Sequence, residues 1–145
     1  MSEAKFVSRA VRKKDAQALV TGKPVYTGDL VPAGALTVKL LRSPHARAWI
    51  EEIDCTAAMK IPGVVAIYTW QDVPQSRFTT AGQTYPEPSP YDRLILDRQI
   101  RCAGDPVAIV AAETPEAARK ALDRIKVRYQ VQEPLLDFTK AKDNP

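Results

Sequence analysis

Proline constrains this chain more than any other residue type. Twelve of its 145 residues are proline, nearly twice the usual share of about 5%, and they stand mainly in the middle of the chain and at the ends of apolar runs. Proline fixes φ and lacks a backbone N–H, so it ends helices and is excluded from central strands. We therefore expect short helices and strands separated by firm turns, and no long helix.

The composition is that of one compact domain, with 45% hydrophobic and 26% charged residues. No apolar run reaches the roughly 18 residues of a transmembrane helix, and the first fourteen residues lack the apolar segment of a signal peptide. We expect a cytoplasmic protein with no membrane partner. Cys55 and Cys102 are widely separated and form no CxxC pair, so they are interpreted as buried free thiols.

Basic residues are concentrated at the N-terminus, in a chain of formal charge +4. The cluster consists of Lys5, Arg9, Arg12, Lys13 and Lys14. Hydrophobic periodicity is weak here, and we interpret residues 1–19 as a basic arm that contacts solvent or another subunit. Nucleic acid is disfavoured as a partner because the aromatic residues are scattered and no recognition motif is present. A free-standing binding module that uses this arm to capture an acidic partner remains the alternative.

Hydrophobic periodicity predicts a series of short strands. They are Leu36–Arg42, Ala48–Ile53, Val64–Thr69, Val107–Glu113 and Val127–Val131. In the first, Leu36, Val38 and Leu40 alternate with the neighbouring residues as in a half-buried strand. Val107–Glu113 is nearly all apolar and is interpreted as the central strand. The segment Leu94–Arg101, which precedes that strand, is also expected to be ordered.

Two helices are predicted between strands. Asp54 can cap a short helix over Thr56–Met59, which Pro62-Gly63 would end. A second helix begins at the capping residue Thr114, with Pro115 in the first helical position. Its apolar face, expected to lie on the sheet, contains Ala118, Ala121, Leu122 and Ile125. Too few helices are present to cover both faces of a sheet, so the pattern indicates an α+β domain, a small mixed sheet with a few packed helices.

The segment Pro74–Arg93 is polar and carries Pro86, Pro88 and Pro90 at alternate positions. It has no hydrophobic period and is interpreted as a long surface loop. Loops of about twenty residues are uncommon in compact domains and are usually functional or mobile, so its tip is expected to face a substrate channel or a neighbouring domain. The polar ending, residues 139–145, is interpreted as the beginning of a linker.

Histidine, serine and carboxylate residues do not combine into a catalytic set. His45 is the only histidine, and it lies in the turn-like segment Arg42–Arg47 without a nearby carboxylate or cysteine, so structural use is favoured over metal binding. Ser43 is close in sequence, but adjacent placement in a tight turn points the two side chains apart. A turn that needs positive φ explains Gly104 better than a phosphate-binding loop does.

The acidic residues also have a structural interpretation. They cluster at a strand end as Glu51, Glu52 and Asp54. A solvated edge is commoner there than an acid/base pair, because nothing nearby would raise one pKa. We therefore predict no catalytic, cofactor-binding or metal-binding residue in this chain.

Three stretches taken together resemble a known family. They are Val20–Leu30, Leu40–Pro74 and Ile100–Leu135. In order and at plausible spacing they contain the turn Arg42–Ala46, the step Pro62-Gly63-Val64, and the turn Gly104–Val107 before an alanine-rich helix. The set resembles the N-terminal α/β-hammerhead domain of molybdenum hydroxylase large subunits, the xanthine dehydrogenase and aldehyde oxidase family. Its specificity comes from the ordered combination.

The resemblance implies an α/β-hammerhead fold over residues 20–138, within a subunit that hydroxylates its substrate with water-derived oxygen. It implies a molybdenum pyranopterin cofactor in the full-length subunit, with iron–sulfur clusters and FAD in partner domains or subunits. The family's glycine-rich cofactor loops and catalytic glutamate have no counterpart here, so no site residue is carried over and the chain alone is expected to be inactive. It is either an excised fragment or a split subunit. The substrate stays open among purines, aldehydes, carbon monoxide and other heterocycles.

Overall fold

The computed structural model describes residues 10–80 and 89–142. The chain divides into two compact units, residues 1–35 and residues 36–145. In its described part, the first unit contains a short helix, α1 (Ala16–Val20), and a 3-10 turn at Thr27–Leu30. No helix among the described residues is long and apolar enough to span a membrane.

The predicted basic arm is described only in part. Arg12, Lys13 and Lys14 are exposed, whereas Lys5 and Arg9 lie outside the described residues. The predicted boundaries of the arm, the hammerhead domain at 20–138 and the linker at 139–145 remain predictions.

The second unit contains two three-stranded antiparallel sheets. Sheet A has the order β1-β5-β3, and sheet B has the order β4-β2-β6. The strands are β1 (Thr37–Arg42), β2 (Ala48–Asp54), β3 (Val64–Tyr68), β4 (Gln99–Ile100), β5 (Pro106–Ala112) and β6 (Lys126–Val131). Strand β5 is the central strand of sheet A, as its apolar sequence predicts.

The α+β class is confirmed, but two antiparallel sheets replace the single small mixed sheet expected from the sequence. The difference arises at the turn after Arg42, which carries the chain out of sheet A. Strand β2 consequently pairs with β4 and β6 and not with β1. Order does resume before β5 as predicted, although only Gln99–Ile100 forms a strand.

Helix α3 (Pro115–Leu122) covers one face of sheet A. It begins where predicted, because Thr114 Oγ1 accepts a hydrogen bond of 3.1 Å from the Ala117 N–H. The small side chains of the helix allow it to lie close to β5. The buried cluster between them contains Ala108, Val110 and Ala112 from the strand and Ala117, Ala118 and Ala121 from the helix.

The turn before β3 requires a residue in the left-handed conformation. Helix α2 (Thr56–Met59) is anchored by Asp54, whose Oδ1 accepts a 2.9 Å hydrogen bond from the Thr56 N–H. Gly63 then adopts φ +84°, and a Cβ there would lie 3.4 Å from the Ala117 Cβ. The left-handed backbone therefore explains the glycine, since a Cβ would make only an ordinary van der Waals contact with α3.

A second buried cluster joins the two sheets. Ala48 and Ile50 of β2 pack with Ile100 of β4, and Val107 of β5 contributes to the same cluster. The two sheets therefore share a hydrophobic contact at the beginning of β5.

Burial alternates along β1 as predicted, but the side of the strand that carries Val38 and Leu40 is the exposed one. Val38 is 58% exposed and Leu40 is 37% exposed, whereas Leu41 packs with the cluster under α3. The register explains this result, since Leu41 lies opposite Ala108, which faces the helix. Val38 and Leu40 consequently occupy the other face of sheet A.

The cysteines are free, but the expectation that both are buried is wrong. Cys55 is half-buried, and Cys102 is exposed. Cys102 lies in the turn before β5, where its thiol donates a 3.0 Å hydrogen bond to Asp105 Oδ1. A polar partner at the surface replaces the apolar surroundings that the sequence interpretation assumed.

Candidate interaction site at the base of the loop

The base of the proline-rich loop is closed by a two-residue bridge. Phe78 and Arg93 exchange backbone hydrogen bonds of 2.9 and 3.1 Å. Residues 81–88, which include the predicted tip, lie outside the described residues. The described ends of the loop are thus held together, as expected for a loop that leaves the core at one point.

A cavity of about 290 Å³ opens beside this bridge. Apolar side chains form part of its wall, and charged side chains form the rest. The lining includes Phe78, Leu94, Ile95 and Pro106 together with Arg93, Asp97, Arg101 and Asp105. Apolar and charged side chains therefore meet in the wall of one cavity.

Asp105 organises the charged side of the cavity. Its Oδ2 accepts backbone hydrogen bonds of 2.7 Å from Arg101 and 3.1 Å from Cys102, and Arg93 lies 3.9 Å from Oδ1. Burial acts to raise the pKa of Asp105, but these hydrogen bonds, the Cys102 thiol and the Arg93 charge together lower it below its ordinary value. The carboxylate is therefore held ionised as a structural acceptor.

The turn around Asp105 also connects β5 to the end of β1. Gly104 adopts φ +91°, its N–H donates to Ser43 O at 2.8 Å, and its carbonyl accepts a 2.8 Å hydrogen bond from Arg42 Nη1. The positive φ predicted for this glycine is confirmed. These contacts fix the rim of the cavity to sheet A.

Cys102, in the turn that carries Asp105, is not an activated nucleophile. The hydrogen bond to Asp105 is the main factor that raises the pKa of the Cys102 thiol. A thiol with a raised pKa is mostly protonated near neutral pH, and the protonated form is a poor nucleophile.

Ser43 and His45 form a structural corner. The His45 N–H donates to Ser43 Oγ at 3.0 Å, and Ser43 Oγ donates to the His45 carbonyl at 3.1 Å. The imidazole ring packs edge-on against Tyr129, with 4.9 Å between ring centroids. The Ser43 hydroxyl therefore hydrogen-bonds to the backbone of the turn, and the imidazole packs against Tyr129 of β6.

The acidic cluster of β2 faces solvent. Glu51 and Glu52 both pair with Arg128 of β6, at 3.0 and 3.2 Å. The hydrogen bonds from Thr56 are the main factors that lower the pKa of Asp54 below its ordinary value. Across residues 10–80 and 89–142, no three histidine, cysteine or acidic side chains form a group that could hold a metal ion.

Residues 21–133 match the family model described as the a/b hammerhead domain of aldehyde oxidase and xanthine dehydrogenase. The chain belongs to this family. The family resemblance and the hammerhead fold expected from the sequence are both confirmed.

Relatives and solved structures place the hammerhead domain inside much longer chains. It is 41% identical to the "Probable hypoxanthine oxidase XdhD" of Escherichia coli K12, a match of 99% of this chain to 15% of the relative. It is 40% identical to the xanthine dehydrogenase molybdenum-binding subunit of Escherichia coli O157:H7, covering 80% and 16% of the two chains. The aldehyde oxidoreductase structure from Desulfovibrio desulfuricans matches at 28% identity with a TM-score of 0.74, over 92% and 16%.

Sequence reasoning did not identify the role of Asp105 in this hammerhead domain. Its contact with Arg93 forms only when the loop base closes onto the turn, whereas Arg101 and Cys102 lie within four residues of it in the chain. One local signal was available, because an aspartate between Gly104 and Pro106 is typical of a turn in which the side chain accepts backbone hydrogen bonds.

Proposed function

We propose that this hammerhead domain is a structural and interface domain of a molybdenum hydroxylase large subunit of the xanthine dehydrogenase and aldehyde oxidase type. The parent enzyme would hydroxylate its substrate with water-derived oxygen and pass electrons to iron–sulfur clusters, with a flavin domain or subunit as a further partner. The carrying observation is the family match over residues 21–133 in a chain that spans only 15–16% of the length of the relatives reported above.

We propose that none of the described residues of this chain holds the molybdenum pyranopterin cofactor. In support, Cys102 and Asp105 are hydrogen-bonded to each other in the turn before β5, and Glu51 and Glu52 of β2 pair with Arg128. The cofactor would therefore be held by other domains of the parent subunit. The part of this chain would be to present a folded surface to those domains.

Metal analysis of two preparations tests this proposal. The 145-residue chain and its parent subunit would be produced in cells that make the molybdenum cofactor, purified, and analysed by inductively coupled plasma mass spectrometry. We expect stoichiometric molybdenum in the parent subunit and only background molybdenum in the chain. Stoichiometric molybdenum in the chain alone, or a parent subunit that never contains it, would contradict the proposal.

We also propose that the loop of residues 74–93 contacts the substrate path or the iron–sulfur partner in the assembled enzyme. Support comes from the Phe78–Arg93 bridge and the mixed cavity beside it. Replacing residues 81–88 with a short Gly-Ser linker in the parent should change either kcat/KM or the yield of assembled enzyme. Glu116→Gln, on the exposed side of α3, is the control and should change neither. A loop variant that matches this control in both measurements would refute the proposal.

A further inference from the structure

The outer face of sheet A, the side opposite α3, is apolar and open. It consists of two rows across the three strands, Val38–Ala111–Ala66 and Leu40–Ile109–Tyr68, as the strand register requires. None of the six side chains is charged. Besides Val38 and Leu40, Tyr68 is 44% exposed, so this face leaves substantial apolar surface in water.

The outer face of sheet B has the opposite character. Trp49 lies opposite Gln130, and Glu52 lies opposite Arg128, with which it forms an ion pair. Arg128 also forms an ion pair with Glu51. Charged and paired side chains are typical of a sheet face that stays in contact with solvent. The outer face of sheet B has this character, and the outer face of sheet A does not.

We infer that the outer face of sheet A docks against the remaining part of the same large-subunit polypeptide. This inference rests on the proposed function. Two observations favour that occupant. In one relative, 99% of this chain matches only 15% of the relative's length. Most of a parent polypeptide of that length would lie outside this structure. An uncharged apolar face also suits an obligate contact, because transient partners use more polar surfaces.

Hydroxyl-radical footprinting of the parent subunit tests this inference. The subunit would be purified as a monomer, free of other subunits, and the oxidation of Tyr68 and Trp49 would be followed by peptide mass spectrometry. Trp49 is a matched control on sheet B, since it is 36% exposed in this chain. Each rate is normalised to that of the urea-denatured subunit, which removes the difference in intrinsic reactivity.

We expect the normalised oxidation of Tyr68 to fall severalfold below that of Trp49. Equal oxidation of the two side chains would overturn the inference. Protection of Tyr68 that arises only on dimerisation, or only after an iron–sulfur subunit is added, would also overturn it, because the occupant would then be a different chain. The molybdenum content of the same preparation separates the two proposals: molybdenum with an unprotected Tyr68 refutes the docking alone, whereas a parent that never binds molybdenum refutes the proposed function.

Discussion

Sheets A and B each have three strands, but their outer faces differ in character. Sheet B turns Glu51, Glu52 and Arg128 to the solvent as an ion-paired surface. Sheet A is sealed by α3 on one side and exposes uncharged apolar residues such as Val38 and Leu40 on the other. The difference shows that strand pairing does not determine what a sheet face contacts. A stable face is either polar and solvated or apolar and covered by a partner.

The largest effect is expected where the two sheets share their buried contact. Ile50→Ala empties a fully buried position between the sheets and should lower the free energy of unfolding of the chain by about 2–5 kcal/mol. Val38→Ala, on the open face, should change it by less than about 0.5 kcal/mol. Urea denaturation followed by circular dichroism measures both. Similar losses for the two variants would remove the distinction between core and open face.

The second prediction places a charge on each outer face of the parent subunit. Leu40→Glu would bury an unpaired carboxylate at the proposed contact and should destabilise the subunit by roughly 2 kcal/mol. In the 145-residue chain, where Leu40 is 37% exposed, the same change should cost less, about 1 kcal/mol. Gln130→Glu on sheet B is the matched control and should be tolerated in both. Thermal unfolding gives the comparison, and an equal response of chain and parent to Leu40→Glu would contradict it.

The third prediction loosens the helix that seals sheet A. Thr114→Ala removes the hydroxyl that accepts the Ala117 N–H and should cost about 1 kcal/mol of unfolding free energy. Thr114→Ser keeps the acceptor and should recover most of that loss. A serine variant as unstable as the alanine variant would show that the cap is not the cause.

The fourth prediction concerns acid stability at the loop base. The pKa of Asp105 in the folded chain is below its ordinary value, so the unfolded chain binds the proton more readily. Its contribution to stability is present above the ordinary carboxylate pKa and is lost as the pH falls toward the folded pKa. Asp105→Asn should therefore lower stability near neutral pH and flatten the acid limb of a stability–pH curve. An unchanged acid limb would contradict this role for the carboxylate.

The smallest effect is expected on the ion-paired face of sheet B. Arg128→Gln breaks two exposed ion pairs and should cost less than about 1 kcal/mol. Because exposed charges are screened by salt, the difference from the unmodified chain should shrink further at about 1 M NaCl. A large, salt-insensitive loss would mean that this face is not the solvated surface described here.

The sequence identified features that depend on local chemistry. The start of α3 follows from Thr114, Pro115 and the spacing of its alanines, and these signals lie within a few residues of one another. The position of β5 at the centre of sheet A follows in the same way from its apolar run. The family resemblance added the hammerhead fold, which periodicity alone does not identify.

The sequence did not determine features that depend on distant neighbours. Alternation in β1 cannot tell which side meets α3, since that depends on its register with β5. An apolar side chain is removed from water at an interface as it is in a core. The alternation that contains Val38 and Leu40 therefore does not distinguish a core face from the proposed interface. The contact of Arg93 with Asp105 depends likewise on the closed loop base.

Purification of the native protein that contains this sequence tests the central claim most directly. Peptides from Ala48–Asp54 and Pro115–Leu122 would identify it, and its intact mass and molybdenum content would be measured together. The account predicts a polypeptide several times longer than this chain, with stoichiometric molybdenum and an iron–sulfur partner. A native polypeptide of only 16.0 kDa that associates with no molybdenum protein would contradict it.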